Sequence, residues 1–131
     1  MLASLDIGLK RIGLALGYKN GVVVPINAVL RKNRNQAARD VMMILNEYKV
    51  KKIVVGIPID GSSEEEMIRR IKHFVGLLNF DGEIFYEDES FSSIEASEFG
   101  IANHRQKDGK LDSLAAMIIL QRFLSRNLDN L

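Results

Sequence analysis

Three acidic positions lie far apart in this chain and are of a type that could work together: Asp6, the Glu87-Asp88-Glu89 stretch, and Asp112. Asp6 sits inside the apolar run Leu2-Ala3-Ser4-Leu5-Asp6-Ile7. A carboxylate is rarely placed there unless something pairs with it. Gly8 follows closely and suits a tight turn or the close approach of a ligand to the backbone. Each acid also has an ordinary reading: a turn aspartate, an acidic loop, and a first-turn helix aspartate favoured by the macrodipole. Read together, they predict a carboxylate cluster. Carboxylates a few ångströms apart repel one another unless a divalent cation lies between them. The chemistry of such clusters is in-line attack of water on a phosphodiester, with two ions about 3.5–4 Å apart steadying the attacking and leaving oxygens. With no cysteine and only His73 and His104 as histidines, carboxylates must hold any metal, which selects a hard cation, Mg²⁺ or Mn²⁺.

Elements from several parts of the chain must bring these acids together. Leu2 to Ile7 reads as a strand buried on both faces. Ile12 to Gly17 and Val22 to Val29 read as two further strands joined by short turns, an antiparallel meander. Pro25 assigns the third strand to a sheet edge or a bulge. The period then becomes helical over 35–48, through Ala38, Val41, Met42, Leu45 and Tyr48, with Asn33 or Asn35 as the cap. Ile53 to Pro58 is a short buried strand. Ser63 and Glu66 form a capping box that opens a helix with Met67, Ile71, Phe74, Val75 and Leu78 on one face and three glutamates in its first turn.

Glu83 to Glu87 is another strand, ending in the acidic stretch. A helix is expected over Ser92 to Ala102, a polar basic loop over 103–110, a last helix over Leu111 to Leu124, and frayed residues from Ser125. On that last helix Asp112, Ala115, Ala116 and Ile119 share a face whose small residues allow close approach to a sheet. The order β-β-β-α-β-α-β-α-α predicts an α/β fold, a mixed five-stranded sheet with helices on both faces. The Asp6 strand takes the middle, beside the Ile53 strand, which puts Asp6 at the kind of strand end where open α/β sheets bind ligands.

The bulk numbers narrow the classes. A chain of 131 residues, 47% hydrophobic and 27% charged, fits a single globular domain spanning 1–131. Its apolar runs fall short of the roughly 18 residues of a membrane span, and no signal peptide precedes Asp6. With the lack of cysteine this fits a cytoplasmic protein. A net charge of +1 does not advertise nucleic-acid binding, so the placement of cations matters more than their sum. Clusters occur at Lys10-Arg11, Arg31-Lys32-Asn33-Arg34, Lys49-Val50-Lys51-Lys52 and His104-Arg105-Gln106-Lys107, each of which alone reads as solvated surface.

Four stretches then carry a resemblance. Asp6-Ile7-Gly8-Leu9-Lys10-Arg11-Ile12-Gly13, Gly56-Ile57-Pro58-Ile59 with Asp60-Gly61-Ser62, Asp88-Glu89-Ser90, and Lys110-Leu111-Asp112-Ser113-Leu114-Ala115-Ala116 resemble the successive motifs of the YqgF/RuvX family. These bacterial proteins belong to the ribonuclease H-like superfamily and are related to Holliday junction resolvases. The resemblance runs in order from residue 2 to about 124, and four spaced motifs are far more specific than one. It implies a ribonuclease H-like fold and a metal-dependent nuclease, with a role in maturing precursor 16S rRNA and, in some members, in resolving junctions. Residue by residue, it implies Asp6, Glu89 and Asp112 as catalytic and metal-holding groups, with Asp88 the alternative to Glu89. Ser90 stands where the family usually has arginine; if that arginine holds a phosphate, this chain either replaces it with another cation, with Arg11, Arg105 and Lys107 as candidates, or binds more weakly.

The implied partner is nucleic acid, either precursor rRNA or branched DNA. Lys10, Arg11, Arg105, Lys107 and Lys110 are expected to contact its phosphates, giving salt-sensitive affinity with little sequence readout. A reader built on base stacking is disfavoured at 7% aromatic residues and no tryptophan. A monomer or weak homodimer is expected, since a junction with paired strands suits two symmetric sites. Two rivals stand beside this reading. An actin-like ATPase would also cradle phosphates on an Asp-x-Gly turn, but this chain is short for its two domains. An RNA-binding module with a degenerate site draws support from Ser90 and the near-neutral charge.

Overall fold

Strand β1 (Leu2–Ile7) lies at the centre of a five-stranded sheet of order β3-β2-β1-β4-β5. The structure is a computed structural model and describes residues 1–58, 64–89 and 113–127. β2 (Arg11–Gly17) pairs with β1 antiparallel, from Leu2 opposite Gly17 to Ile7 opposite Ile12. β3 (Val23–Leu30) continues the meander at the edge, where the missing N–H of Pro25 costs no ladder bond within the sheet's interior. On the other side, β4 (Lys52–Ile57) runs parallel to β1, and β5 (Glu83–Asp88) runs parallel to β4. The expected meander, mixed sheet and central strand are therefore all present.

One irregularity matters for the site. Ile12 faces Val29 and Leu14 faces Ile26, so Asn27 and Ala28 stand opposite the single residue Gly13. This bulge lies beside the end of β1 that carries Asp6, which pairs with Gly13.

Alternation along the strands divides the core in two. Ala3, Leu5, Ile7, Ile12, Leu14, Leu16, Ile53 and Val55 point to the face covered by α1 (Arg34–Glu47) and α2 (Glu64–Leu78). Ala15 and Val54 point to the opposite face, under α3 (Leu114–Asn127), where they meet Ala116, Ile119, Leu120, Phe123 and Leu124. Each large side chain buried in this way contributes about 1.5–3 kcal/mol. The expected apolar face of α2 is present, with Ile71, Phe74, Val75 and Leu78 buried and Met67 packed against them. Of the two candidate caps of α1, Asn33 is the one used: it accepts from the Gln36 N–H at 2.8 Å, and Gln36 reaches back to the Asn33 N–H.

Helix α3 differs from expectation at its end. Ser125 to Asn127 are helical rather than frayed, and the Asn127 side chain donates to the Phe123 carbonyl at 2.9 Å. Ser63 of the expected capping box, the expected helix over 92–102 and the loop over 103–110 lie outside the described residues. Among the described residues no helix is long and apolar enough to cross a membrane.

Two buried serines fix α3 to the sheet. Ser4 Oγ donates to the Ala116 carbonyl at 2.5 Å, an approach that the small alanine permits, as its spacing predicted. Ser113 Oγ accepts from the Leu14 N–H at 3.0 Å and donates to the Ile26 carbonyl at 2.5 Å, linking the two strands at the bulge. The helix therefore enters beside the end of β1 that carries Asp6. From there it descends towards Gly17, where Leu120 and Leu124 lie closest.

Candidate active site

Asp6 is the penultimate residue of β1 and, by alternation, shares the α3 face with Ser4. Two strands away, β5 ends at Asp88, but the Glu89 N–H still donates to the Ile57 carbonyl at 2.8 Å. That bond continues the ladder by one residue and turns Glu89 to the same face as Glu87 and Asp6. Between the two acids runs β4, and the residue there is Gly56. A Cβ on Gly56 would stand 2.5 Å from Ile119 Cδ1 and 3.1 Å from Glu89 Oε2. The bare backbone of Gly56 leaves the Glu89 side chain room to cross β4, where it forms a hydrogen bond with Asp6.

The electrostatics follow from that contact. Burial pushes the Glu89 carboxyl up, the Asp6 charge and the hydrogen bond to Asp6 push it further, and Asp88 adds to the repulsion, bringing it to about 8. Asp6 is also raised by burial, while the hydrogen bond from Glu89 works in the opposite direction. Both carboxyls are thus held above their ordinary range, Glu89 by burial and by the Asp6 charge beside it. Two partly buried carboxyl groups that repel when both are charged are brought together at one edge of the sheet.

The acidic stretch on β5 is divided among three environments. Glu87, 3% exposed, is paired with Arg126 of α3. Asp88 sits in register with Ile57 and alternates to the other face. Glu89 reaches Asp6, so of the two alternatives for the middle acid the geometry brings Glu89 to the site. Lys10 is exposed at the β1–β2 turn, and Arg11, the first residue of β2, alternates to the Asp6 face. Asp112, Arg105, Lys107 and Lys110 lie outside the described residues, as does Ser90. Among the described residues no three histidines or acids are grouped to enclose an ion, so Asp6 and Glu89 form a pair that needs at least one further ligand.

The donors present suit a hard cation. They are carboxylate oxygens, partly withdrawn from water, and their mutual repulsion favours a positive charge between them. Sequence reasoning missed two supporting residues. Gly56 lay in a motif without a role of its own, and Ser113 stood beside Asp112 with nothing in its type to mark it as buried.

Comparison with known proteins bears on this arrangement. A family model described as RuvX, Holliday junction resolvase, matches residues 1–126. This chain belongs to the RuvX family. Curated relatives of this RuvX chain are provisionally named pre-16S rRNA nuclease. One from Campylobacter lari is 55% identical over 120 residues, covering 92% of this chain and 94% of the relative. Another from Sulfurovum sp. is 56% identical over 125 residues, covering 95% and 98%. A third from Helicobacter pylori is 46% identical over 136 residues, covering 99% of each. Among solved structures, T. thermophilus RuvC in complex with a Holliday junction substrate superposes with a TM-score of 0.65 at 10% identity, covering 98% of this chain and 95% of that one. The fowlpox virus Holliday junction resolvase gives 0.55 at 15% identity, covering 95% and 98%. At those identities the likeness shows the fold, and the RuvX chain has the ribonuclease H-like fold that its motifs implied.

Proposed function

We propose that this chain hydrolyses phosphodiester bonds in structured nucleic acid, as a divalent-metal-dependent endonuclease acting in the maturation of precursor 16S rRNA. Its family and its relatives make it a nuclease; the rRNA substrate is carried over from the relatives' names. The observation that carries the reading is the hydrogen bond between Asp6 and Glu89 across Gly56, two acids held together at one strand end with no structural need for both. Asp6, Glu89 and Asp112 are proposed as the metal ligands. What supports Asp112 is its peptide bond to Ser113, which is tied into the bulge beside Gly13, the partner of Asp6.

Bound between these carboxylates, Mg²⁺ or Mn²⁺ would supply Lewis-acid stabilisation of the charge that develops on the phosphate. The chain's own part is to fix its acids and give up the Glu89 proton. Gly56 keeps the path open for Glu89, and Ser4 and Ser113 hold α3 against the sheet. Arg11, on the Asp6 face, takes the place of the family arginine that Ser90 replaces and neutralises a substrate phosphate. Lys10, Arg105, Lys107 and Lys110 contribute further phosphate contacts. A cytoplasmic monomer, or a weak dimer on a two-fold substrate, completes the reading.

The test is cleavage of precursor 16S rRNA and of a four-way DNA junction under the same Mn²⁺ or Mg²⁺ conditions. Cutting of the RNA at metal-dependent sites supports the proposal, and cutting of the junction alone would move the chain to DNA recombination. No cutting of either, together with no Mn²⁺ uptake, would leave a nucleic-acid-binding module.

A further inference from the structure

On the face of the sheet opposite α3, a recess of about 500 Å³ lies between the β1–β2 turn and helix α2, with Ile7 and Gly8 in its wall. A second recess, of about 710 Å³, adjoins it and shares Leu9, Arg31, Arg34 and His73. The two are lined by five fixed cations, Arg31, Lys32, Arg34, Arg69 and Arg70, and by one acid, Glu66. That acid is used by Arg70, at 2.7 Å. Among the described residues none of the other four cations has an acid within ion-pair distance. In a chain of net charge +1, this is a concentrated positive field.

Lys32 and Arg34 flank the cap of α1, whose first turn holds no acid, although helices favour acids there and disfavour cations. The neighbouring helix α2 shows the usual arrangement, with three glutamates. Arg31 is held rigidly: its side chain donates to the Gly8 carbonyl at 3.0 Å, its N–H to the Lys10 carbonyl at 2.9 Å, and its guanidinium lies 5.3 Å from the Phe74 ring centre. Arg34 meets His73 Nε2 at 3.2 Å. Planar guanidinium groups fixed over an apolar floor suit oxyanions that accept two bonds at once.

We propose that this groove binds the phosphate backbone of the substrate at a segment away from the bond being cut. The inference rests on the nuclease reading above and deepens it: Asp6 and Ile7 are adjacent and point to opposite faces, so a folded nucleic acid docked at Asp6 passes the β1–β2 turn and lays a second stretch of backbone in the groove. An acidic protein is the competing occupant. Nucleic acid is favoured by the continuity between the groove and the candidate active site, through Gly8.

The experiment measures binding without cutting, by fluorescence anisotropy on Asp6→Asn protein free of divalent ions, with a labelled RNA hairpin stem and a four-way DNA junction. The expected result for Arg34→Gln combined with Arg69→Gln is roughly tenfold weaker binding at low salt. The slope of log affinity against log salt should also flatten by about 2, one for each lost phosphate contact. Lys19→Gln with Lys51→Gln removes the same charge at the opposite end of the sheet and should leave both quantities unchanged. Equal losses in the two double variants, or no loss in the first, would overturn the groove while leaving the nuclease reading intact. Polyglutamate binding as tight as RNA and equally lost in the groove variant would overturn it in favour of an acidic protein. Failure of the parent to bind any nucleic acid would overturn both readings. Arg34→Gln removes a cation from the first turn of α1 but also the contact to His73, so the unfolding temperature of each variant is measured beside its binding; if the double variant unfolds, Arg69→Gln alone carries the test, with a slope change of about 1.

Discussion

Glu89 reaches Asp6 by passing over the backbone of Gly56, and the two carboxyl groups share a hydrogen bond. Asp6 of β1, Gly56 of β4 and the residue just past the end of β5 meet at that contact. The consequences are measurable.

Asp6→Asn keeps a group that hydrogen-bonds with Glu89 and removes the charge that helps push the Glu89 carboxyl up. Cleavage should fall by a factor on the order of 10³ or more, while circular dichroism and nucleic-acid affinity are retained. Turnover at the parent's rate would show that the strand-end acid is not part of the catalytic centre.

Gly56→Ala places a methyl group 2.5 Å from Ile119 Cδ1 and 3.1 Å from Glu89 Oε2. The expected cost is about 1–3 kcal/mol, from overpacking against α3. Mn²⁺ affinity should fall as well, because Glu89 is displaced from Asp6. Calorimetric titration with Mn²⁺ beside thermal unfolding separates the two effects, and unchanged metal affinity would contradict the crossing geometry.

The pH dependence of the metal-free protein follows from Glu89, raised from the ordinary 4.5 to about 8 in the fold. Folding favours its protonated form, so this contribution is complete below pH 4.5 and is lost as pH rises through about 8. The unfolding temperature of the metal-free chain should therefore drop across that window. Glu89→Gln should flatten the drop, and saturating Mn²⁺ should reduce it by replacing the proton with a cation. A metal-free curve that rises towards pH 8 would refute the raised Glu89 carboxyl.

Ser113→Ala strands the Leu14 N–H and the Ile26 carbonyl at the bulge, at about 1–3 kcal/mol for each group left unpaired. Ser4→Ala should cost less, since the Ala116 carbonyl lies within α3 and can keep its bond along the helix. Urea unfolding of both variants checks the ranking, and equal costs would deny the bulge any special role.

Much of this arrangement was legible in the residues. The continuous apolar runs of β1, β2 and β4, the helical spacing of α1 and α2, and the edge position of Pro25 all follow from local pattern, because each element's apolar residues can be read one element at a time. Asp6 stood out for a similar reason, as a charge inside an apolar run. Other features depend on parts of the chain that meet only after folding. Glu87, Asp88 and Glu89 look alike in sequence, yet one pairs with Arg126, one faces away and one reaches Asp6; only the register of β5 against β4 separates them. The cluster from Arg31 to Arg34 resembles any solvated basic run until α2 brings Arg69, Arg70 and His73 beside it. Ser125 to Asn127 read as a loose end because terminal residues are commonly poorly ordered unless tied down, but the Asn127 side chain bonds back to Phe123.

The surplus residue of the edge strand sets the seat of a helix from the other end of the chain. A lengthened β3 is ordinarily slack that a sheet edge can absorb, but here the Ser113 hydroxyl occupies the gap, so its position along the strand fixes how far α3 slides over the sheet. A one-residue deletion at Asn27 or Ala28, on the side of the molecule farthest from β5, would unseat the start of α3 and so disturb the centre without touching any acid in it.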